Sequence, residues 1–325
     1  MELNEFLAEW HNDNPRILVH TSGSTGKPKP LMVEKRRMLN SARITCDFLG
    51  LKPGDTALLC MPLDYIAGKM MVVRSLQRDL RLTTVRPSSH PLADDALPHF
   101  TFAAMVPMQV YNTLKVPCER ERLMRIRHLI IGGGAISDEL AQMIKPLPNA
   151  VWSTYGMTET LSHIALRRLN GPDASLWYTP FDGVGISLNA DGCLVIDAPE
   201  VCAEPLVTND IAQLRTDDRT GKTLFRIKGR KDNVVCSGGI KIQIEEVEET
   251  LRPHLSAPFM IVKKQDEMLG EKAILLTESA DLTHIEEICR NTLPKYWVPR
   301  EFLHIDHLPL TETGKPKRTL PFTPR

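Results

Sequence analysis

Short apolar runs and longer segments of helical spacing alternate along the first half of the chain. Residues 3–10 form a short helix candidate, and residues 17–20 read as a strand running into the glycine- and serine-rich turn 21–26. From about residue 34 to 49 the spacing is helical, and it stops before the turn signal Leu51-Lys52-Pro53-Gly54-Asp55. Strand-like runs follow at 56–61, 83–85, 101–105 and 128–131, alternating with helical candidates near 70–80, 107–116 and 137–143. Such alternation predicts a parallel sheet with helices across its faces, an α/β class.

After residue 170 the texture changes. Pro, Gly and Asp punctuate short alternating segments at 192–196, 210–214 and 223–227, which predicts twisted antiparallel or barrel-like β-structure. A second change falls at the charged turn Gly229-Arg230-Lys231-Asp232. Beyond it come a strand, a helix at 243–251, a strand at 259–263 and an amphipathic helix at about 282–291. The expected division is a large domain over 1–229, with a β-rich part at about 171–229, and a small α+β domain over 230–325.

Composition narrows the partners. Forty basic residues balance forty acidic ones in 325, so no global field holds nucleic acid or an anionic membrane. No stretch reaches about 18 uninterrupted apolar residues, and the N-terminus has no basic, apolar signal segment. The seven cysteines are scattered without a CxxC spacing, which argues against a disulfide framework or structural zinc. A soluble cytoplasmic protein in a reducing compartment is expected.

The most informative run is His20-Thr21-Ser22-Gly23-Ser24-Thr25-Gly26-Lys27-Pro28-Lys29. Glycines let a backbone approach a polyphosphate, hydroxyls and N–H groups donate to its oxygens, and lysines add positive charge. It is not a Walker A loop, because GxxxxGK[ST] is absent. By itself such a run is compatible with phosphate binding or with an ordinary turn.

TSGSTGKPK resembles the signature loop of the adenylate-forming superfamily of acyl- and aryl-CoA synthetases, peptide-synthetase adenylation domains and luciferases. Further segments follow in the family's order: Gly132-Gly133-Gly134-Ala135, Ser153-Thr154-Tyr155-Gly156-Met157-Thr158-Glu159-Thr160, Thr208-Asn209-Asp210, Gly229-Arg230-Lys231-Asp232, Ser237-Gly238-Gly239 and Leu310-Thr311-Glu312-Thr313-Gly314-Lys315. Within the family, the stretches at 61–71 and 156–165 look like the o-succinylbenzoate–CoA ligases of menaquinone biosynthesis. The resemblance implies an adenylate-forming ligase fold: a large sheet-and-helix domain with a β-rich subdomain, and a small mobile α+β C-terminal domain. It also implies ATP, Mg2+ and coenzyme A, and a small-molecule carboxylic acid as substrate.

Residue by residue, the resemblance assigns the phosphate side to Thr21, Ser22, Ser24, Thr25 and Lys29. Adenine falls to Gly132, Gly133, Gly134, Tyr155, Gly156 and Met157, and ribose to Asp210 and Arg230. Glu159 is implied as the magnesium ligand with Thr158 beside it, and Lys315 as the lysine that stabilises charge in adenylation. Asp232 is implied as the hinge, and Gly238 and Gly239 as lining for the thiol. Tyr65, Gly68, Lys69, Ser162 and His163 lie in segments expected to form the acid pocket, where a second carboxylate needs a cation or hydroxyl. Two departures stand out. Asn209 replaces the glycine of the family's TGD, and only 19 residues precede His20 where the family carries a longer region. The chain is then a compact ligase or a fragment, and a homodimer is one way to supply the missing wall. The alternatives are activation of another acid, loading of a carrier protein, and a non-catalytic nucleotide-binding scaffold.

Overall fold

The computed structural model describes residues 1–20, 30–134, 136–310 and 317–318. Thr21, Ser22, Ser24, Thr25, Lys29 and Lys315 lie outside the described residues. The chain divides into two compact units, one of Met1–Ile186, Ile196–Leu206 and Leu214–Phe225, the other of Ser187–Val195, Val207–Gln213 and Arg226–Arg325.

The first unit opens with helix α1 (Leu3–His11) and a hairpin of β1 (Arg16–His20) and β2 (Pro30–Glu34). The two strands pair antiparallel from Arg16↔Glu34 to His20↔Pro30, so the residues flanking the glycine- and serine-rich run are held opposite each other. Helix α2 (Lys35–Leu49) buries Met38, Ser41, Ala42, Thr45, Cys46 and Leu49, one stripe at helical spacing. Gly50 ends it at φ 64°, and the Leu51 N–H donates to Cys46 O at 2.9 Å, the closing pattern that favours glycine.

A seven-stranded sheet forms the body of this unit in the order β4-β3-β5-β6-β7-β8-β9. Its strands are β3 (Thr56–Leu59), β4 (Arg81–Thr84), β5 (Phe102–Met105), β6 (His128–Ile131), β7 (Ala150–Gly156), β8 (His163–Arg168) and β9 (Thr179–Pro180). The pairs from β4 through β7 are parallel, as expected from the alternating pattern, while β8 and β9 join antiparallel. Parallel strands are covered on both faces, which is why they read as short continuous apolar runs. Leu58, Phe102 and Leu129 are completely buried, each contributing about 1.5–3 kcal/mol. Helices α3 (Ile66–Arg78), α4 (Pro107–Lys115), α5 (Pro117–Met124) and α6 (Asp138–Ile144) occupy the crossovers, and α3 packs on α2.

The β-rich stretch is a four-stranded sheet in the order β10 (Gly185–Leu188), β11 (Cys193–Asp197), β12 (Leu206–Thr216), β13 (Thr223–Arg230). In the second unit β14 (Val234–Ser237), β15 (Ile240–Gln243), β16 (Phe259–Asp266), β17 (Gly270–Thr277) and β18 (Glu301–His304) form one sheet, with helices α7 (Ile244–Leu251) and α8 (Leu282–Thr292). Alternation sorts its side chains. Ile261 and Leu275 join Val247, Leu251 and Ile285 in one core, whereas Met260, Val262, Ile274 and Leu276 join Ile305 in another. Strand β16 runs three residues beyond its expected end at 263, because its partner β17 extends the ladder to Asp266↔Gly270.

Candidate active site

Because β3, β5, β6 and β7 are parallel, the segments after them share one edge of the sheet, where α/β folds gather ligand-binding loops. Gly132 follows β6 there, and a Cβ on it would stand 2.4 Å from Thr154 Oγ1 on the neighbouring strand. Gly133 sits at φ 81°. Tyr155, near the end of β7, packs edge-on to Phe225 at 5.0 Å and tilts against Tyr178 at 5.7 Å. Tyr178 is in turn held by Ser153 Oγ at 3.0 Å.

The turn after β7 is tightly specified. A Cβ on Gly156 would lie 2.3 Å from Ser162 O and 2.4 Å from His163 Cα, so only glycine lets β7 and β8 approach this closely. Thr160 Oγ1 accepts from the Met157 N–H at 3.0 Å, and its proton faces Ser162 O at 2.8 Å. Leu161 adopts φ 65°, a conformation costing a non-glycine residue about 1–3 kcal/mol, and its N–H bonds Thr158 O at 2.9 Å. Thr158 and Thr160 are buried, and Glu159 between them is exposed. The fold thus presents a single carboxylate on a rigid turn. Among the described residues no group of three or more His, Cys, Asp or Glu could hold a metal. One carboxylate together with phosphates and waters suits magnesium, so Glu159 fits that ion.

The structure brings Ser162 and His163, both expected near the acid, together with a residue that spacing alone left unnoticed, Arg74 of α3. Arg74 is 2% exposed and donates from Nη2 to Ser162 Oγ at 2.5 Å. Ser162 Oγ lies 3.2 Å from His163 Nδ1, and His163 Nε2 lies 3.1 Å from Thr45 Oγ1. Thr45 commits its own proton to Ser41 O at 3.1 Å, so Nε2 must donate. Burial, and after it the Arg74 charge, holds the His163 pKa well below the usual histidine range. The ring is therefore neutral, and Nδ1 accepts from Ser162. Arg74 itself forms no ion pair among the described residues; its Nη1 reaches only Met71 Sδ at 3.9 Å, and its Nε has no partner. Burial lowers its pKa to about 10, which leaves it charged near neutrality.

The other expected acid-side residues are placed differently. Lys69 is 3% exposed and donates to Leu18 O at 2.7 Å, securing β1 two residues before the hairpin end; burial lowers its pKa. Gly68 allows α3 to pack on the preceding segment, since a Cβ would lie 2.3 Å from Pro62 O. Tyr65 precedes that helix and is 44% exposed.

In the second unit, Arg230 donates to Asp210 Oδ1 at 3.3 Å and to Asp232 Oδ2 at 3.2 Å. Asn209, the departure from the family's glycine, also donates to Asp232 Oδ2, at 3.3 Å. The ribose and hinge candidates are thus one hydrogen-bonded group. Gly238 and Gly239 form the two-residue turn between β14 and β15, at φ 56° and 82°, as a type I′ hairpin requires.

The model of the AMP-binding enzyme family matches residues 4–203. An acyl-CoA synthetase (AMP-forming)/AMP-acid ligase II-like protein from Dyadobacter fermentans is 33% identical, with a TM-score of 0.67 over 97% of this chain and 91% of its own. The chain belongs to the AMP-binding enzyme family. This AMP-binding enzyme is also similar to the 2-succinylbenzoate–CoA ligase of Bacillus mycoides, 25% identical over 94% of this chain and 69% of the relative. The Bacillus subtilis o-succinylbenzoate coenzyme A synthetase, in complex with ATP and magnesium ion, shares its fold at a TM-score of 0.72 and 23% identity, covering 93% of this chain and 68% of that one. The chain therefore spans about two thirds of the Bacillus relatives and most of the Dyadobacter protein. No helix among the described residues is long and apolar enough to cross a membrane.

Proposed function

We propose that this AMP-binding enzyme is an ATP-dependent acid–CoA ligase that converts 2-succinylbenzoate, ATP and CoA to 2-succinylbenzoyl-CoA, AMP and diphosphate in menaquinone biosynthesis. The observation that carries the substrate is the buried Arg74 guanidinium, without a carboxylate partner among the described residues and bonded to Ser162 just beyond the Glu159 turn. A buried cation of this kind is stabilised by an anion, and 2-succinylbenzoate has one carboxylate to react and a second to bind. Arg74 and Ser162 receive the second carboxylate. His163, neutral and hydrogen-bonded on both nitrogens, fixes the Ser162 hydroxyl.

An oxygen of the reacting carboxylate attacks the α-phosphorus of ATP. The bond to the bridging oxygen breaks, and diphosphate leaves with its electron pair. Thr21, Ser22, Ser24, Thr25 and Lys29 hold the triphosphate; Gly132, Gly133, Gly134, Tyr155, Gly156 and Met157 hold the adenine; Asp210 and Arg230 hold the ribose. Glu159, with Thr158 beside it, would hold magnesium, which would supply neutralisation of the phosphate charge. Lys315 bonds the α-phosphate as charge builds on it. The CoA sulfur then attacks the acyl carbon, AMP leaves with the C–O electron pair, and the thiol proton passes to solvent. Residues 230–325 turn about Asp232 between the steps, and Gly238 and Gly239 then line the thiol path. The enzyme works in the cytoplasm as a homodimer.

Diphosphate release with ATP and magnesium, measured against 2-succinylbenzoate, benzoate, a medium-chain fatty acid and pooled amino acids, tests this reading. A selective rate with 2-succinylbenzoate, rising to turnover with CoA and lost in Lys315→Ala, is the expected result. Selective activity with another acid would discard the pathway, and no activity from folded, ATP-binding protein would discard the ligase.

A further inference from the structure

Four side chains from α2, α3 and the start of β8 form one directed chain of hydrogen bonds, and Thr45, Arg74 and His163 among them are buried. Thr45 donates to Ser41 O, one turn back on α2, at 3.1 Å, which leaves its oxygen to accept from His163 Nε2 at 3.1 Å. His163 Nδ1 accepts in turn from Ser162 Oγ at 3.2 Å, and Ser162 Oγ accepts from Arg74 Nη2 at 2.5 Å. Every proton therefore points from Arg74 toward the carbonyl of Ser41. A hydroxyl that donates is a better acceptor, so each link strengthens the next. Arg74 meets a serine oxygen whose proton is turned away from it.

The helices at the two ends of this chain are joined by other means. Arg78, one turn beyond Arg74 on α3, pairs with Asp47, two residues beyond Thr45 on α2, and also donates to Leu51 O at 3.2 Å. Thr45 is thus not needed to seat α2 on α3, and its own donor bond stays within α2. What its oxygen decides is where the imidazole proton lies. With that oxygen opposite Nε2 and its proton spent on Ser41 O, Nε2 must donate and Nδ1 must accept. Without it, Nε2–H would be a buried donor facing a hydrocarbon, and the ring would carry its proton on Nδ1 instead. Ser162 would then accept from the ring and share the oxygen that now serves Arg74. We propose that Thr45 is a positioning residue for the acid: by fixing the His163 tautomer it turns Ser162 and holds Arg74 where the second carboxylate binds. This inference rests on the proposed ligase reading, and Thr45, fully buried, acts through His163 and Ser162 without touching the substrate.

Nuclear magnetic resonance of the full chain, labelled with heavy-nitrogen histidine, reads the tautomer directly. The ring signals lost in His163→Gln identify His163 among the ten histidines. The wild type is expected to carry the proton on Nε2, and Thr45→Val, which keeps the shape but removes the oxygen, to carry it on Nδ1. In kinetics, Thr45→Val is expected to raise KM for 2-succinylbenzoate about tenfold with kcat within about twofold. Its preference for 2-succinylbenzoate over benzoate should fall by about the same factor. Thr45→Ser, which keeps the hydroxyl, is expected to restore the tautomer, the KM and the preference. A proton on Nδ1 in the wild type would overturn the proposal by itself, so the test does not depend on Thr45→Val folding. A preference unchanged in Thr45→Val, with or without a general loss of rate, would overturn it while wild-type selectivity still upheld the ligase. A wild type without preference for 2-succinylbenzoate would overturn the ligase reading, and this inference with it.

Discussion

Arg74 in the first unit and Arg318 in the second are both guanidinium groups removed from water, but their surroundings differ. Arg318 meets a carboxylate in a two-bond fork and a backbone carbonyl, so its charge is compensated within the chain. Arg74 meets a hydroxyl and a thioether, and the hydroxyl leads on to a neutral histidine. Burial alone does not distinguish a structural charge from the ligand-receiving one proposed for Arg74; the partner does. A compensated pair stabilises its own unit, whereas an uncompensated cation costs stability until something anionic arrives.

That contrast yields its largest expected effect in unfolding. Arg318→Met strands the Glu248 carboxylate and should lower stability by about 3–5 kcal/mol in urea titration. Arg74→Met strands only a hydroxyl and should change stability by less than about 1 kcal/mol, in either direction. Comparable losses in the two variants would erase the distinction.

The next effect is on selectivity. Arg74→Leu should lower kcat/KM for 2-succinylbenzoate about 100-fold and leave benzoate nearly unchanged, as removal of a charge-assisted contact to one carboxylate requires. A uniform loss with both acids would assign Arg74 to structure instead.

The smallest effect is a pH dependence. The folded His163 ring titrates well below the unfolded value near 6.5, because of burial and then the Arg74 charge. Its unfolded form therefore takes up a proton first, so stability is full above about pH 6.5 and falls below it by about 1.4 kcal/mol per pH unit. His128, whose pKa burial and the neighbouring Arg127 and Arg168 push down to about 4, adds a second contribution of the same sign between about pH 6.5 and 4. His163→Gln should remove one proton's share of the slope in urea titrations from pH 7 to 5. An unchanged slope would mean that the ring is charged in the fold.

Much of this architecture was legible before any coordinates. The helices at 3–11, 35–49, 107–115 and 282–292 lie within two residues of their expected ends, because their apolar stripes and end signals are local. Strands β17 and β18 were not expected: Gly270–Thr277 is apolar only over its second half, and Glu301–His304 is short with its last two residues exposed, so their pairing supplies the signal. Of the residues expected around the acid, Lys69 bonds Leu18 O, while Arg74, inside the apolar run Met70 to Ser75, passed for a residue at ordinary helical spacing. A lone arginine within such a run was the available clue.

The sequence by itself supplied the motifs proposed to face the nucleotide, since glycines and hydroxyls in short loops are legible as single residues. It also determined the family, through the order of those motifs. Only the tertiary structure decided which buried cation was left without a carboxylate among the described residues. Arg74 and Ser162 lie 88 positions apart, and Arg318 and Glu248 lie 70 apart. Whether a charge finds its counterion depends on the packing of helices and sheets against each other, and no spacing along the chain encodes that distance.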